Sequence, residues 1–440
     1  MHRNLSENEI YSLLEKSDFN ICTDSRKIVP QSVFFALSGD NFNGNKFAED
    51  ALAKGCSYAI IDDPSLGNNE NFILVENTLK SLQQLARLHR RNFNIPILAV
   101  TGSNGKTTSK ELLAAVLGKK FKILATKGNL NNHIGVPLTL FKINAAHEFA
   151  IIEMGANHQK EIAELCAIAE PTFGIITNIG KAHLEGFGGI EGVKKGKGEL
   201  FDYIRNTNGK VFINGDDSVL QEMSLSLDKV TYGCTKLFDT VGMISSSDPF
   251  ISFKWKTRYT ASELKNAQIV TTQLVGDYNF NNLLCAVCVG NYFGVNEKLI
   301  TEALSEYTPA NNRSQLFNSK NNKIILDMYN ANPSSMLAAI QNFAKLNAEN
   351  KILILGDMLE LGDDTTIEHR RIIDLANENK FEKLFLIGAN FKILEKNYSG
   401  VFLNDTTEAL DYFHQQPLKG NTILVKGSRG TKLELLLPVL

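Results

Sequence analysis

What this sequence has little of narrows the reading first. Charge of one sign is not in excess: 46 Lys and Arg stand against 48 Asp and Glu, a formal net charge of −2. No long-range field draws such a chain to a polyanion or an anionic membrane, so nucleic acid is not an expected partner. No apolar run approaches the ~20 residues of a membrane span, so no membrane insertion is expected. The first residues are interrupted by Arg3, Glu7 and Glu9 and lack the apolar core of a signal peptide, which makes the expected localisation cytoplasmic. Internal repeats and low-complexity tracts are absent as well.

Cysteine is sparse and scattered, at Cys22, Cys56, Cys166, Cys234, Cys285 and Cys288. Without export these should remain reduced thiols. The spacing Cys285-Ala-Val-Cys288 occurs in redox and zinc sites, yet here it lies inside an apolar helical stretch, 283–289, with no second cysteine pair or histidine pair. Two small core residues one helical turn apart is the expected reading.

What is present is enough apolar material, 43% of 440 residues, for two or three cores at ~100–200 residues per domain. Residues 1–94 mix short apolar strands, at 32–37 and 58–61, with two helical stretches, the second of which, 79–91, ends in basic residues that suit a helix C-terminus. Pro96 punctuates the chain, and a strand at 97–100 opens a second block. There, apolar runs at 149–152, 174–179 and 211–214 alternate with helical periodicity, the signature of crossover units on a parallel sheet. The turn formers Tyr307-Thr-Pro-Ala-Asn-Asn-Arg313 break that pattern. A third alternation follows, with strands at 323–327, 352–357, 384–388 and 423–426. The expected fold class is α/β with three domains: a small N-terminal α/β domain (1–94), a central phosphate-loop domain with a mainly parallel sheet (95–308) and a C-terminal Rossmann-like domain (309–440).

Chemistry enters at Thr101-Gly-Ser-Asn-Gly-Lys-Thr-Thr108, between that strand and a helix whose apolar Leu112, Leu113, Val116 and Leu117 recur at helical spacing. Glycines such as Gly102 and Gly105 let backbone N–H groups turn toward an anion, and the helix N-terminus adds partial positive charge, which makes Gly102, Ser103, Asn104 and Gly105 candidate ATP contacts. Lys106 would reach the β and γ phosphates of ATP, and the Thr107 hydroxyl, beside Thr108, would hold Mg²⁺. The full eight-residue pattern has Gly where this chain has Val100, so the competing reading is a glycine-rich turn. Three further residues suit a triphosphate centre. Glu153 ends an apolar strand, where α/β sheets place ligands, and is a possible Mg²⁺ ligand. His183 follows the 174–179 strand, though alone such a histidine is more often a surface loop residue. Lys197, in Lys-Lys-Gly-Lys-Gly-Glu, is by itself most simply a solvated charge. The residues alone give an ATP-using α/β enzyme whose acceptor is open.

Several stretches in chain order go further: Thr23-Asp-Ser-Arg26, the phosphate loop, Gly128-Asn-Leu-Asn-Asn-His-Ile-Gly135, Glu153-Met-Gly-Ala-Asn-His158, Ala182-His-Leu-Glu185, Lys197-Gly-Glu199, Gly276-Asp-Tyr-Asn-Phe-Asn-Asn282, Asp327-Met-Tyr-Asn-Ala-Asn-Pro333, Leu355-Gly-Asp-Met-Leu-Glu-Leu-Gly362 and Val425-Lys-Gly-Ser-Arg429. Together they resemble the Mur ligases, the ATP-dependent amide-bond ligases of peptidoglycan precursor synthesis, and within them the dipeptide-adding branch. Two stretches depart from the family's usual pattern: Asn43-Gly-Asn45, often Asp-Gly-His, and Asp277-Tyr-Asn279, often Gly-His-Asn.

The resemblance implies an ADP-forming ligase that joins D-alanyl-D-alanine to UDP-N-acetylmuramoyl tripeptide through an acyl phosphate, with ATP and Mg²⁺, as a monomer. It implies that Lys106, Lys197 and His183 are catalytic. Thr107, Glu153, His183 and Lys197 would form the metal shell, with Lys197 carbamylated by CO₂. Asn279 and Asn282 would contact nucleotide, as would Arg313, Asp327 and Tyr329 from the C-terminal domain. Ser25 and Arg26 would face the uridine diphosphate and Asn132 the muramoyl arm. A family ligase adding a single amino acid, and a phosphate-loop kinase, are the alternatives.

Overall fold

The computed structural model describes residues 3–39, 42–235, 237–257, 264, 266–309 and 312–440. Ala310 and Asn311 of the turn-forming stretch lie outside the described residues. The chain forms two compact units: Met1–Ala99 with Lys122–Gly155 and Ala163–Thr172, and Val100–Phe121 with Ala156–Ile162 and Phe173–Leu440.

The first unit holds a parallel sheet in the order Ile21–Cys22, Val33–Phe35, Tyr58–Ile61, Phe72–Leu74. Phe34, Ala36, Ala59, Ile61 and Phe72 form its core. Helix Thr78–Arg91 starts where the Asn77 side chain accepts the Lys80 amide and ends on His89, Arg90 and Arg91, the basic last turn expected from the sequence. The same unit carries the parallel strands Ile123–Ala125 and Phe149–Glu153.

In the second unit, Phe173–Ile176, Lys210–Asn214, Asp228–Gly233 and Thr240–Ser246 run parallel, and Phe250–Thr257 and Val270–Val275 add antiparallel strands. The antiparallel tail has a period-two signal, with Ile251, Phe253 and Trp255 buried between part-exposed neighbours. The strand expected at 174–179 spans Phe173–Ile176 instead. Beyond that strand Thr177 still donates its amide to Thr101 O, and the Thr177 and Asn178 side chains hydrogen-bond the phosphate loop. Cys285 and Cys288 are buried free thiols in helix Phe280–Tyr292, the core role expected of them.

A further sheet of the second unit has the order Gln315–Asn318, Lys323–Asp327, Thr422–Lys426, Lys351–Gly356, Lys383–Ile387, Val401–Leu403, antiparallel only at its first pair. Four of its strands lie within a residue of the positions read from sequence, and the two outer ones, Gln315–Asn318 and Val401–Leu403, are absent from that reading. Continuous apolar runs such as Ile352, Leu353, Ile354 and Leu355 are buried on both faces, as a parallel sheet covered by helices requires. Among the described residues no helix is long and apolar enough to cross a membrane.

Candidate active site

Strand Ile97–Thr101 is buried throughout, Val100 included. That accounts for Val100 at the position where the longer loop pattern has glycine: it is still a core strand residue, and the chain turns only at Gly102, whose φ is +140°. A Cβ at Gly102 would collide with Thr177 Oγ1, and one at Gly105 (φ +78°) would lie 2.7 Å from Asn282 Oδ1. Both glycines are therefore fixed by conformation and by close approach together. The loop is braced from the neighbouring strand end. Ser103 N donates to Asn178 O (3.0 Å), Asn104 N to Asn178 Oδ1 (3.1 Å), and Thr177 Oγ1 to Asn104 O (2.6 Å). Ser103 Oγ donates to Gly180 O and accepts from Gly180 N, both at 2.9 Å. Helix Lys106–Leu117 starts directly after Gly105, so its orphan N–H groups and dipole face this loop. Lys106 Nζ donates to Gly102 O (2.7 Å) and Ser103 O (3.3 Å), and Thr107 and Thr108 are buried in the first helical turn.

Asn282 connects the loop to the start of helix Phe280–Tyr292. Its Oδ1 accepts from Ser109 Oγ (3.0 Å) and its Nδ2 donates to Asn279 Oδ1 (3.0 Å), while Asn279 Nδ2 donates to Val275 O (2.9 Å). Lys197, 1% exposed, contradicts a solvated charge. Its Nζ donates to Ala156 O at 3.0 Å and lies 4.9 Å from the Phe187 ring centroid. Burial, and then the charge of Lys106, hold its amine well below the ordinary lysine range, against the weaker pull of Glu161 and Glu199. His183, at φ +53° on the same strand-end loop, hydrogen-bonds Glu360 through Nδ1.

Residues of two helices that pack with the C-terminal sheet, Pro333–Lys345 with its cap Asn332 and Thr365–Glu378, meet this loop system. Asn332 Nδ2 donates to Asn104 Oδ1 (2.7 Å), Ser334 Oγ accepts from Lys181 N (3.1 Å), and Lys181 pairs with Glu368. Asn332, Glu360, Ser334 and Glu368 carry no role in the sequence reading. Their partners stand 153–228 residues away in the chain, a separation no local pattern marks. The Arg313 guanidinium stacks on Tyr329 at 3.6 Å from the ring centroid, and Asp327 accepts from Lys426 Nζ at 2.6 Å.

The remaining expected site residues belong to the first unit. Glu153, 2% exposed, ends its strand with Oε1 accepting from Asn131 Nδ2 (2.8 Å) and its amide donating to Thr126 Oγ1 (3.0 Å). Asn132 Oδ1 accepts the Gly135 and Ile134 amides, at 2.9 and 3.2 Å, at the start of helix Gly135–Leu140. Arg26 donates its backbone amide, Nε and Nη2 to Asp24, which brings the Asp24 carboxyl down to about 2. Ser25 O accepts from Lys54 Nζ at 3.1 Å.

Residues 20–90 match the Mur ligase family catalytic domain, 100–290 the Mur ligase middle domain and 312–429 the Mur ligase glutamate ligase domain. The UDP-N-acetylmuramoyl-tripeptide–D-alanyl-D-alanine ligase of Bacillus subtilis is 34% identical over 94% of this chain and 91% of its own length. The chain belongs to the Mur ligase family. The ligase of the same name from Escherichia coli is 32% identical over 94% of this chain and 92% of its own. Among solved structures, MurF of Acinetobacter baumannii superposes with a TM-score of 0.86 at 29% identity, covering 97% of each chain. MurF ligase of Thermotoga maritima in complex with ADP gives 0.83 at 25%, covering 96% of each. The three-domain α/β architecture of the Mur ligases is thus the architecture of this chain.

Proposed function

We propose that this chain joins D-alanyl-D-alanine to UDP-N-acetylmuramoyl tripeptide, converting ATP to ADP and phosphate in peptidoglycan precursor synthesis. The observation that carries the reading is the likeness, over more than nine-tenths of the chain, to relatives named for that reaction. A braced phosphate loop at Gly102–Lys106 stands beside it. The chemistry follows from the substrates. The terminal carboxylate of the tripeptide attacks the γ-phosphorus of ATP, the bond to the bridging oxygen of ADP breaks, and an acyl phosphate forms. The dipeptide amine adds to that carbonyl, loses a proton, and phosphate leaves as the amide closes. Lys106 and the orphan N–H groups at the start of its helix compensate charge building on the phosphates. The pairs Asn104–Asn332 and Lys181–Glu368 suit a C-terminal sheet that closes over the loop and keeps water from the acyl phosphate.

Thr107, Glu153, His183 and Lys197 would hold Mg²⁺, which when bound screens the phosphate charge. Among the described residues no three His, Cys, Asp or Glu side chains gather as a metal cage. A magnesium ion that keeps phosphate oxygens and water among its ligands does not need such a cage. Lys197 fits such a set as a carbamate and not as an ammonium. Its burial favours the neutral amine, the form that adds CO₂ and releases a proton to become an anion. The reading places the enzyme in the cytoplasm as a monomer.

The test is ADP formation with purified UDP-muramoyl tripeptide and a panel of amines. Turnover requiring both the tripeptide and D-alanyl-D-alanine is expected. Comparable rates with diaminopimelate or lysine on the UDP-muramoyl dipeptide would move the chain to a ligase adding one amino acid.

A further inference from the structure

Strand Thr422–Lys426 is an interior strand of the C-terminal sheet, and its carboxyl end is where open α/β sheets receive ligands. The two cations that follow from it differ in state. Lys426 is 1% exposed and committed to Asp327. Arg429 is exposed, its guanidinium carbon 5.6 Å from the centroid of the Tyr329 ring that also carries Arg313. Among the described residues no carboxylate or carbonyl engages that guanidinium.

The segment holding Arg429 is fixed although the side chain is exposed. Ser428, 3% exposed, donates its amide to Asp357 O (3.1 Å), accepts the Leu359 amide on Oγ (3.1 Å) and donates Oγ to Ala331 O (3.3 Å). Three strand-end loops are tied at this one residue. Leu359, 43% exposed, packs beside the next position, where a Cβ on Gly430 would lie 2.8 Å from Leu359 Cδ1. A cation and an apolar side chain therefore stand side by side on a rigid edge. Leu359 is followed by Glu360, which reaches His183 on the loop after Phe173–Ile176.

Resting on the ligase reading above, we infer that Arg429 receives the terminal carboxylate of the incoming dipeptide, with Leu359 flanking its methyl groups. A guanidinium matches a carboxylate in two parallel hydrogen bonds, which an ammonium cannot reproduce. An extended dipeptide reaches ~7 Å. With its carboxylate on Arg429 it runs along Leu359 and Glu360 and points its amine toward the His183 loop, the side on which the phosphate loop stands.

The experiment measures ADP formation against D-alanyl-D-alanine and against its C-terminal amide, for the wild-type chain, Arg429→Ala and Arg429→Lys. The wild type should need about 10- to 100-fold more amide than acid to reach half-saturation. Arg429→Ala should raise KM for the acid by a similar factor, leave KM for ATP and for the UDP-muramoyl tripeptide within about twofold, and bring the acid-to-amide ratio to about one. Arg429→Lys should fall between the two. An Arg429→Ala enzyme that keeps the wild-type preference for the acid, or loses kcat alone with every KM unchanged, would overturn the anchor by itself. No turnover of the dipeptide by the wild-type chain would overturn the activity and the anchor together.

Discussion

Lys106 occupies the first position of its helix with Nζ within 2.7 Å of Gly102 O, so its charge stands over the loop at the N-terminus of that helix. Lys106→Ala should keep the fold and lower turnover by about two to three orders of magnitude, a loss of ~3–4 kcal/mol of transition-state stabilisation. Phosphate release near the wild-type rate would remove Lys106 from the reaction. Lys197 makes a sharper case. Its sequence neighbourhood, Lys-Lys-Gly-Lys-Gly-Glu, reads as solvated charge, while the structure buries it to 1% exposure. If a carbamate there supplies the anion, Lys197→Ala should be nearly inactive and recover part of its activity in short carboxylic acids, which refill the anionic position. An active Lys197→Ala enzyme, or an inactive one that no carboxylate restores, would count against the carbamate. The phosphate loop was legible in the sequence because its glycines, lysine and hydroxyls are contiguous. The burial of Lys197 was not, because it depends on what a neighbouring short helix covers.

That covering belongs to the scale of elements. Helix Ile190–Asn206 begins just after helix Leu184–Phe187, and the two meet through glycine. A Cβ at Gly192 would collide with the Phe187 carbonyl, and one at Gly196 with its ring. Positions 192 and 196 are four apart and share a face, one that Lys197 adjoins. The glycines therefore weaken the helix intrinsically, by ~1 kcal/mol each relative to Ala, in exchange for a contact only a bare backbone permits. Gly192→Ala, normally a favourable helix substitution, should instead lower stability by ~1–3 kcal/mol, because the colliding atom is backbone and must shift. Urea unfolding decides the sign, and a stabilised variant would mean the helices separate without cost. The same variant should lose activity, since Phe187 lies against the Lys197 amine. At this scale the parallel strands with continuous apolar runs, such as Phe149–Glu153 and Lys351–Gly356, were legible, whereas the parallel Asp228–Gly233 and Thr240–Ser246, which carry polar residues through their length, were not. The antiparallel Phe250–Thr257 and Val270–Val275 were passed over because alternation in an edge region is a weaker signal than a continuous apolar strand.

Across the whole molecule, the contacts that matter join residues far apart in sequence, such as Asn104 with Asn332 or His183 with Glu360, and no spacing rule anticipates them. The motifs containing these residues were visible as family resemblance, but their pairing comes only from the fold. His89 is a case in the first unit that bears on stability as a whole. Helix Thr78–Arg91 places its ring among Phe19, Phe93 and Phe141, 1% exposed, at centroid distances of 4.1, 5.0 and 5.6 Å. Nε2 lies 2.9 Å from Ile143 O, which only accepts, so Nε2 carries the proton. Nδ1 then accepts from the Tyr11 hydroxyl, also at 2.9 Å, and Tyr11 in turn accepts from Asn92 Nδ2. A second proton on the ring would turn Nδ1 into a donor facing a hydroxyl that already needs its acceptor. Burial, the larger effect, disfavours the charged ring in any case and lowers its pKa below 6.5, outweighing the hydrogen bond to Ile143. With the folded value below the unfolded one, the unfolded chain binds more protons as pH falls through ~6.5. The stability that neutral His89 contributes is therefore complete above that pH and is lost progressively below it. Urea midpoints measured from pH 7.5 down to 5.5 should fall for the wild type. His89→Phe keeps the aromatic packing but leaves Ile143 O without its donor. It should be less stable by ~1–3 kcal/mol at pH 7.5 and show a shallower decline toward pH 5.5. Parallel pH profiles for the two proteins would show that His89 does not carry the acid sensitivity.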